Sequence, residues 1–356
     1  MERNHAIDFV KGFGLLLVAA LHITVFYEYS HVANWVINTS MRFVVPFFFL
    51  TSGYLLFKKL QKTEEKQKVF QNYIMRILMY YLGGFVVCYA FDYFVTTPIW
   101  NIPNIFFRGY MSGNFWGDFL YYGLGHMSGF HLWFLLAMLW AGIIIFLTCR
   151  NNINNIKLVT VIALVIHCIG LFGKTQPYSQ FFELPIYPRD GLFFALFYMA
   201  LGGFWAVGEI NLKKYIPTKY TVWAIVAFFG VQLLERSILV LPLNLPFGEY
   251  WGEYLISTIP LTMVIFHYAL EHGEKFKNNM FTKVGEKSIG VYITHAMAIN
   301  ITYMILEQID PMLYKNPIAQ IVQLIVIYGL AYFSYLAFLS LPFGSKKKKF
   351  FDQKSM

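Results

Sequence analysis

Long apolar segments recur along the whole chain and restrict it to one broad class of fold. Hydrophobic residues make up 58% of the 356 residues and charged residues only 13%, the latter about half of the usual share in soluble domains. A backbone in lipid must satisfy its own hydrogen bonds, so apolar segments of about 20 residues are expected to cross as helices. We therefore predict an all-α polytopic membrane protein with about ten transmembrane helices. They lie at roughly 7–27, 41–58, 73–95, 131–149, 157–172, 190–208, 220–241, 254–270, 288–306 and 318–342.

Basic residues are distributed unevenly between the two sides of this predicted bundle. With the N-terminus inside, ten helices return the C-terminus to the same side, and the inner segments then hold 22 of the 28 Lys and Arg residues. Because cytoplasmic loops carry the excess of Lys and Arg, both termini are predicted to be cytoplasmic. The same rule accounts for the net charge of +9 without a nucleic-acid partner. A single domain is predicted over 1–342, followed by a basic cytoplasmic tail at 343–356 that contacts membrane lipids.

The first predicted helix carries three ionisable residues on one face. Lys11 and His22 are 11 residues apart, which at about 100° per residue brings them within roughly 20° of the same direction. Asp8 lies about 40° from that line. An ionisable side chain within a membrane helix is costly and usually faces a protein interior or a water-filled cavity. His22, Asp8 and Lys11 are therefore candidate catalytic residues.

The ninth predicted helix has a second polar face, formed by Ser288, Tyr292 and His295 at i, i+4 and i+7. This face either packs against the first one or hydrates a cavity. His131 and Trp133 begin the fourth helix, as interfacial anchors or as substrate contacts. The remaining intramembrane histidines that we considered, His167 and His267, are interpreted as hydrogen-bonded core residues. A histidine with few carboxylates nearby suits general-base or nucleophilic acyl transfer better than metal hydrolysis, and the sequence contains no metal motif.

Two loops allow more than one interpretation. One is the basic segment from Lys58 to Arg76, which includes Lys68. Its positive charge is explained either by its position on the cytoplasmic side alone or by binding of an anionic cytoplasmic ligand that carries phosphates. The predicted outer loop at 96–130 is rich in aromatic residues and forms either an interfacial belt or a glycan-binding groove. Its aromatic residues include Trp100, Phe106, Phe107, Tyr110, Phe115, Trp116, Tyr121 and Tyr122.

Four sequence blocks in a fixed order resemble the acyltransferase 3 family of bacterial membrane O-acyltransferases. They are Arg3-x4-Asp8-x2-Lys11-Gly12 with His22, then Val45-Pro46-Phe47-Phe48-Phe49-Leu50-Thr51-Ser52-Gly53-Tyr54-Leu55, then His131-Leu132-Trp133-Phe134-Leu135, then Ser288-Ile289-Gly290-Val291-Tyr292-x2-His295. The chain most resembles the stand-alone type, such as the enterobacterial common antigen O-acetyltransferase. It departs from the family pattern where most members have arginine, because Lys11 and Tyr73 occupy those two positions.

The resemblance implies an O-acetyltransferase of the bacterial cytoplasmic (inner) membrane. It would move an acetyl group from cytoplasmic acetyl-CoA to a hydroxyl of a cell-envelope glycan or lipid-linked sugar, without a metal. By this resemblance, His22 is the general base or acetyl carrier, with Asp8 and Lys11 beside it. The resemblance also implies CoA phosphate contacts at Arg76, Lys11 and Lys68. It implies acceptor contacts at His131, Trp133, Ser288, Tyr292 and His295, of which His131, Ser288, Tyr292 and His295 would orient the acceptor or stabilise the oxyanion.

A transporter is the alternative function. Membrane modules that resemble this family are thought to move serine or to export polysaccharide in some bacteria, and polar faces inside a helix bundle also suit a translocation path. A scaffold for an envelope-synthesis complex is disfavoured, because it has no use for an imidazole at position 22.

Overall fold

The structure is a computed structural model, and it describes residues 3–96, 98, 127–174, 191–208, 210–240 and 255–340. Helices dominate these residues, and no β-strand occurs among them. The α-helices are α1 His5–His22, α2 His31–Ser40, α3 Val44–Leu60, α4 Lys66–Phe91, α5 Trp133–Cys149, α6 Ile156–Lys174, α7 Leu196–Ala206, α8 Thr221–Val240, α9 Thr258–Glu271, α10 Met280–Gly285, α11 Ser288–Ile309 and α12 Pro317–Ser340. The predicted tail at 343–356 and the eight named aromatic residues of the predicted outer loop lie outside the described residues.

The predicted all-α polytopic membrane fold is confirmed. Among the described residues, eight helical segments are long and apolar enough to cross a membrane, and the apolar helix Leu192–Ala206 is shorter. Each of the ten predicted segments overlaps a helix. The side of the membrane on which the termini lie stays a prediction.

Two local features differ from the predicted boundaries. The first helix ends at His22 rather than at position 27, and a separate helix, α2, precedes the predicted second span. The reason lies in the backbone between them, where Thr24 and Phe26 have positive φ values of 47° and 66°. The apolar run in the sequence does not reveal this helix end, because the run continues past it without a change in hydropathy.

The chain forms two compact units, each containing its own helix crossing. The first unit contains Met1–Asn34 and Ala269–Met356, and the second contains Trp35–Tyr268. The first unit is built on the packing of α1 against α10, α11 and α12. In the second, α3 packs against α7, and α4 and α6 pack against α5 and α7 respectively.

Paired glycines allow the closest helix crossing in each unit. In the first unit, a Cβ on Gly12 would overlap the Phe281 carbonyl, and one on Gly285 would overlap the Asp8 carbonyl. In the second, Gly53 and Gly202 meet the backbone of the opposing helix in the same way. Small residues let membrane helices approach closely and gain van der Waals contact, which is the main attraction available between helices in lipid.

Candidate functional site: a histidine pair and an ion cluster in the first unit

The two predicted polar faces meet within the first unit. The imidazole rings of His22 on α1 and His295 on α11 lie 5.5 Å apart, centroid to centroid, at an interplanar angle of 30°. The Tyr292 ring lies 5.5 Å from that of His295. Of the two interpretations left open by the sequence, packing of the second face against the first is therefore the one that the structure shows.

His295 is held in a defined orientation. Its side chain is 2% exposed, and its Nδ1 lies 2.5 Å from the backbone carbonyl oxygen of Tyr292, one helical turn earlier. A ring fixed by its own helix presents its remaining nitrogen, Nε2, in one direction.

His22 is the last residue of α1, and a segment of turns follows it. The backbone N–H of Phe26 donates to Oε1 of Gln320 at 2.7 Å, and the Asn34 side chain donates to the Val25 carbonyl at 2.9 Å. Irregular backbone at membrane depth requires such internal partners. His22 therefore lies next to polar, non-helical backbone rather than in the middle of a continuous span. Gln320 and Asn34 were missed by sequence reasoning, although a glutamine in the apolar α12 was an available signal.

An ion cluster around the buried carboxylate of Asp8 lies toward the N-terminus of α1. Asp8 Oδ1 accepts from Lys11 Nζ at 3.0 Å and Asp8 Oδ2 accepts from Arg3 Nε at 2.7 Å. Glu286 lies 3.6 Å from the same Arg3 nitrogen. The side chains of Asp8 and Lys11 are only 8% and 16% exposed. Two cations and two carboxylates thus neutralise one another.

The site therefore has two ends along α1. Asp8 and His22 are separated by about 21 Å of helix, at 1.5 Å per residue. Ser288 begins α11, about 10 Å of helix from His295 and two residues after Glu286. Between the two ends, Tyr328 on α12 donates from its hydroxyl to the Gly12 carbonyl at 2.8 Å. The structure thus brings together His22, Tyr292 and His295, and places Ser288 nearer the ion cluster in sequence and along the helix.

The second unit holds the other candidate acceptor contacts. His131 is 1% exposed, and lies in the 3₁₀ turn Met127–Leu132, directly before Trp133 begins α5. Asp92 anchors this turn, because it accepts from the Ser128 backbone N–H at 2.9 Å and from the Ser128 hydroxyl at 2.5 Å. A π-helical turn, which is frequent at functional sites, carries Asp92 at the end of α4. The role of Asp92 was not predicted from the sequence, since no local pattern around it indicates a contact with Ser128, 36 residues away.

Two candidate phosphate contacts, Arg76 and Lys68, lie on α4. Lys68 forms a surface ion pair with Glu65 at 2.9 Å. Tyr73, at a position where the resembled family has arginine, shares a hydrogen bond of 2.7 Å with the Ser52 hydroxyl of α3. Tyr73 therefore joins α4 to α3 by a neutral contact.

His167 and His267 are core residues in the second unit, as predicted. They are 1% and 4% exposed, and they pair with the carbonyl groups of Phe193 and Ile216 at 2.9 and 3.3 Å. Across the described ranges, no group of three or more His, Cys, Asp or Glu residues is arranged to hold a metal ion.

Fold and site together define a polytopic α-helical membrane protein in which a half-buried His22, at the end of α1, lies beside the buried His295. The sequence profile of the family described as Acyltransferase domain (acyltransferase 3) matches residues 4–340. The chain belongs to the acyltransferase 3 family. This membership supports membrane acyltransferase activity.

Curated relatives carry a different name. The chain is 24% identical to a serine/alanine racemase of Enterococcus gallinarum, over 92% of this chain and 45% of the relative. An amino-acid racemase of Enterococcus faecalis is 28% identical over 57% of this chain and 28% of its own length. The chain thus spans less than half the length of these relatives. No solved structure matches it.

Proposed function

We propose that the protein is an integral membrane O-acetyltransferase. It takes an acetyl group from acetyl-CoA and transfers it to a hydroxyl of a cell-envelope glycan or lipid-linked sugar in the bacterial inner membrane. Family membership supports acyl transfer, and the 5.5 Å contact between His22 and His295 is the observation that carries the proposal. Two imidazoles side by side offer both proton transfer and nucleophilic attack at one place.

The donor binds at its phosphates through basic side chains. Arg76 and Lys68 are the candidate contacts on α4, and a guanidinium can hold a phosphate by two hydrogen bonds. Lys11 is a weaker candidate, because a phosphate there would have to replace its 3.0 Å ion pair with Asp8. We assign Asp8 and Lys11 to the polarity of the site rather than to the donor.

The acceptor hydroxyl approaches the histidine pair, where Tyr292 and His295 orient it. Ser288, His131 and Trp133 are further candidate contacts to the acceptor. His22 is the candidate general base or acetyl carrier, and His22→Ala is expected to nearly abolish transfer in either role; loss of a general base alone typically slows a reaction by about 10²–10⁴-fold.

The test uses the purified full chain with radiolabelled acetyl-CoA, with and without lipid-linked envelope sugars. Label on the sugar in the wild type, and its loss in His22→Ala, is the expected result. His31→Ala is the matched control, since His31 is an exposed histidine of the same unit. Acetylation near the wild-type level in His22→Ala would reject the assignment of His22.

A transporter of a small polar solute, or an exporter of polysaccharide, is the second candidate. The names of the relatives favour a small solute, since racemases of serine and alanine act on amino acids and this chain spans less than half of their length. This candidate predicts uptake of labelled serine or alanine by proteoliposomes that contain no acetyl-CoA. Uptake equal to that of empty liposomes would reject amino-acid transport.

A further inference from the structure

The hydrogen bond at Nδ1 of His295 decides which nitrogen of that ring carries a proton. The partner of Nδ1 is the Tyr292 carbonyl oxygen, at 2.5 Å. A carbonyl oxygen only accepts hydrogen bonds, so Nδ1 must be the donor. A neutral imidazole has one N–H, and its other nitrogen then carries the lone pair. In neutral His295 that nitrogen is Nε2.

This tautomer separates two roles for His295. A group that stabilises an oxyanion must donate a hydrogen bond to it. The lone pair at Nε2 accepts instead, which is what a general base does with the proton of a hydroxyl. The helix fixes the ring, and His22 lies beside it at 5.5 Å. The candidate base therefore lies beside His22, the other candidate catalytic imidazole.

We propose that Nε2 of His295 is the general base that deprotonates the acceptor hydroxyl. The inference rests on the proposed acetyltransferase function. The hydroxyl proton moves to Nε2 while the hydroxyl oxygen forms an ester bond to the acetyl carbon. The carbon–sulfur bond of acetyl-CoA breaks, CoA leaves as the thiolate, and the proton held by Nε2 returns to the sulfur. His22 is thereby released from the role of base and remains the neighbour that orients the acetyl group of acetyl-CoA.

Two amide substitutions separate the two nitrogens of the ring. The amide of His295→Asn occupies the position of Nδ1 and keeps a donor for the Tyr292 carbonyl, but it has nothing at Nε2. The amide of His295→Gln reaches the position of Nε2 without a basic nitrogen. If Nε2 is the base, kcat falls in both variants by about 10²–10⁴-fold. Binding of labelled acetyl-CoA to the purified variants stays at the wild-type level, because neither variant changes the phosphate contacts.

A merely structural role gives a different pattern. If the bond to Tyr292 were the reason for a histidine at 295, His295→Asn would keep kcat within about tenfold of the wild type while His295→Gln lost it, and the inference would be overturned. The inference is also overturned if both variants transfer acetyl groups at the wild-type rate. The proposed function fails separately, when the wild-type protein itself transfers no acetyl group to any envelope sugar in the same assay.

Discussion

Each unit of the molecule buries a cationic side chain within a membrane helix, and the two are stabilised in different ways. In the first unit, Lys11 is paired with the buried carboxylate of Asp8 at 3.0 Å. In the second, Arg236 on α8 is 1% exposed, and its Nη1 donates to three neutral oxygens of α2. These are the Trp35 carbonyl at 3.3 Å, Asn38 Oδ1 at 3.1 Å and Thr39 Oγ1 at 2.7 Å.

The groups that bind the two cations differ in how many other contacts they make. Each oxygen around Arg236 has a second contact, since the Thr39 hydroxyl also donates to the Trp35 carbonyl and Arg42 also donates to Asn38. Asp8 instead accepts from both Lys11, at 3.0 Å, and Arg3, at 2.7 Å. Neutralisation of Lys11 in the first unit therefore depends on Asp8, whereas each oxygen around Arg236 keeps a second hydrogen bond.

The largest effect is expected for Asp8→Ala. The substitution leaves the ammonium of Lys11, 16% exposed, without its counter-charge, and removing one partner of a buried ion pair typically costs about 3–5 kcal/mol. The free energy of unfolding in detergent, measured by titration with denaturant, should fall by about 3 kcal/mol. Glu65→Ala is the matched control, because its pair with Lys68 is about two-thirds exposed and should cost less than about 1 kcal/mol. Equal losses in the two variants would contradict a special role for Asp8.

The double variant Asp8→Ala with Lys11→Met sharpens the comparison. Replacement of a whole buried ion pair by apolar groups is often neutral or stabilising, so Lys11→Met should recover about half or more of the stability lost in Asp8→Ala. The same unfolding measurement on both single variants and the double variant gives the coupling free energy, expected at about 1–3 kcal/mol. Additive losses would show that Lys11 does not depend on Asp8.

A smaller loss is expected for Arg236→Met. The three oxygens on α2 keep their other contacts, so the cost should be about 1.5–2 kcal/mol, the lower part of the range for hydrogen bonds to a charged group. The measurement is unfolding of the purified variant beside Asp8→Ala under identical conditions. A loss as large as that of Asp8→Ala would break the comparison, and would mean that a further charge depends on Arg236.

The smallest effect concerns the neutral contact between α3 and α4. Ser52→Ala and Tyr73→Phe each remove the same 2.7 Å hydrogen bond, and such bonds within membrane helices contribute about 0.6 kcal/mol on average. Each single variant should lose about that much, and the double variant no more than either, since one bond cannot be lost twice. A strictly additive double variant would show that Ser52 and Tyr73 stabilise the fold independently.

Helical periodicity accounts for the part of the site that was predictable. It placed Lys11 and His22 on one face of α1, and Tyr292 and His295 on one face of α11, because the angle per residue is a property of any α-helix. The core roles of His167 and His267 also followed, since a buried imidazole pairs with a nearby carbonyl. The contacts of Asp92 with Ser128 and of Gln320 with Phe26 were not predictable, because each joins residues far apart in the chain, although a glutamine in the apolar α12 was a signal in itself.

The sequence by itself determined that this chain is a helical membrane protein of the acyltransferase 3 family and that Asp8, Lys11 and His22 share one face of its first helix. Hydropathy, periodicity and ordered motifs are local properties of the sequence, so they can be recognised without knowledge of the fold. Only the tertiary structure decided that α1 stops at His22, that His295 lies beside it, and that Asp8 neutralises both Lys11 and Arg3. These features depend on glycine-mediated helix approach and on partners elsewhere in the chain, which no local pattern encodes.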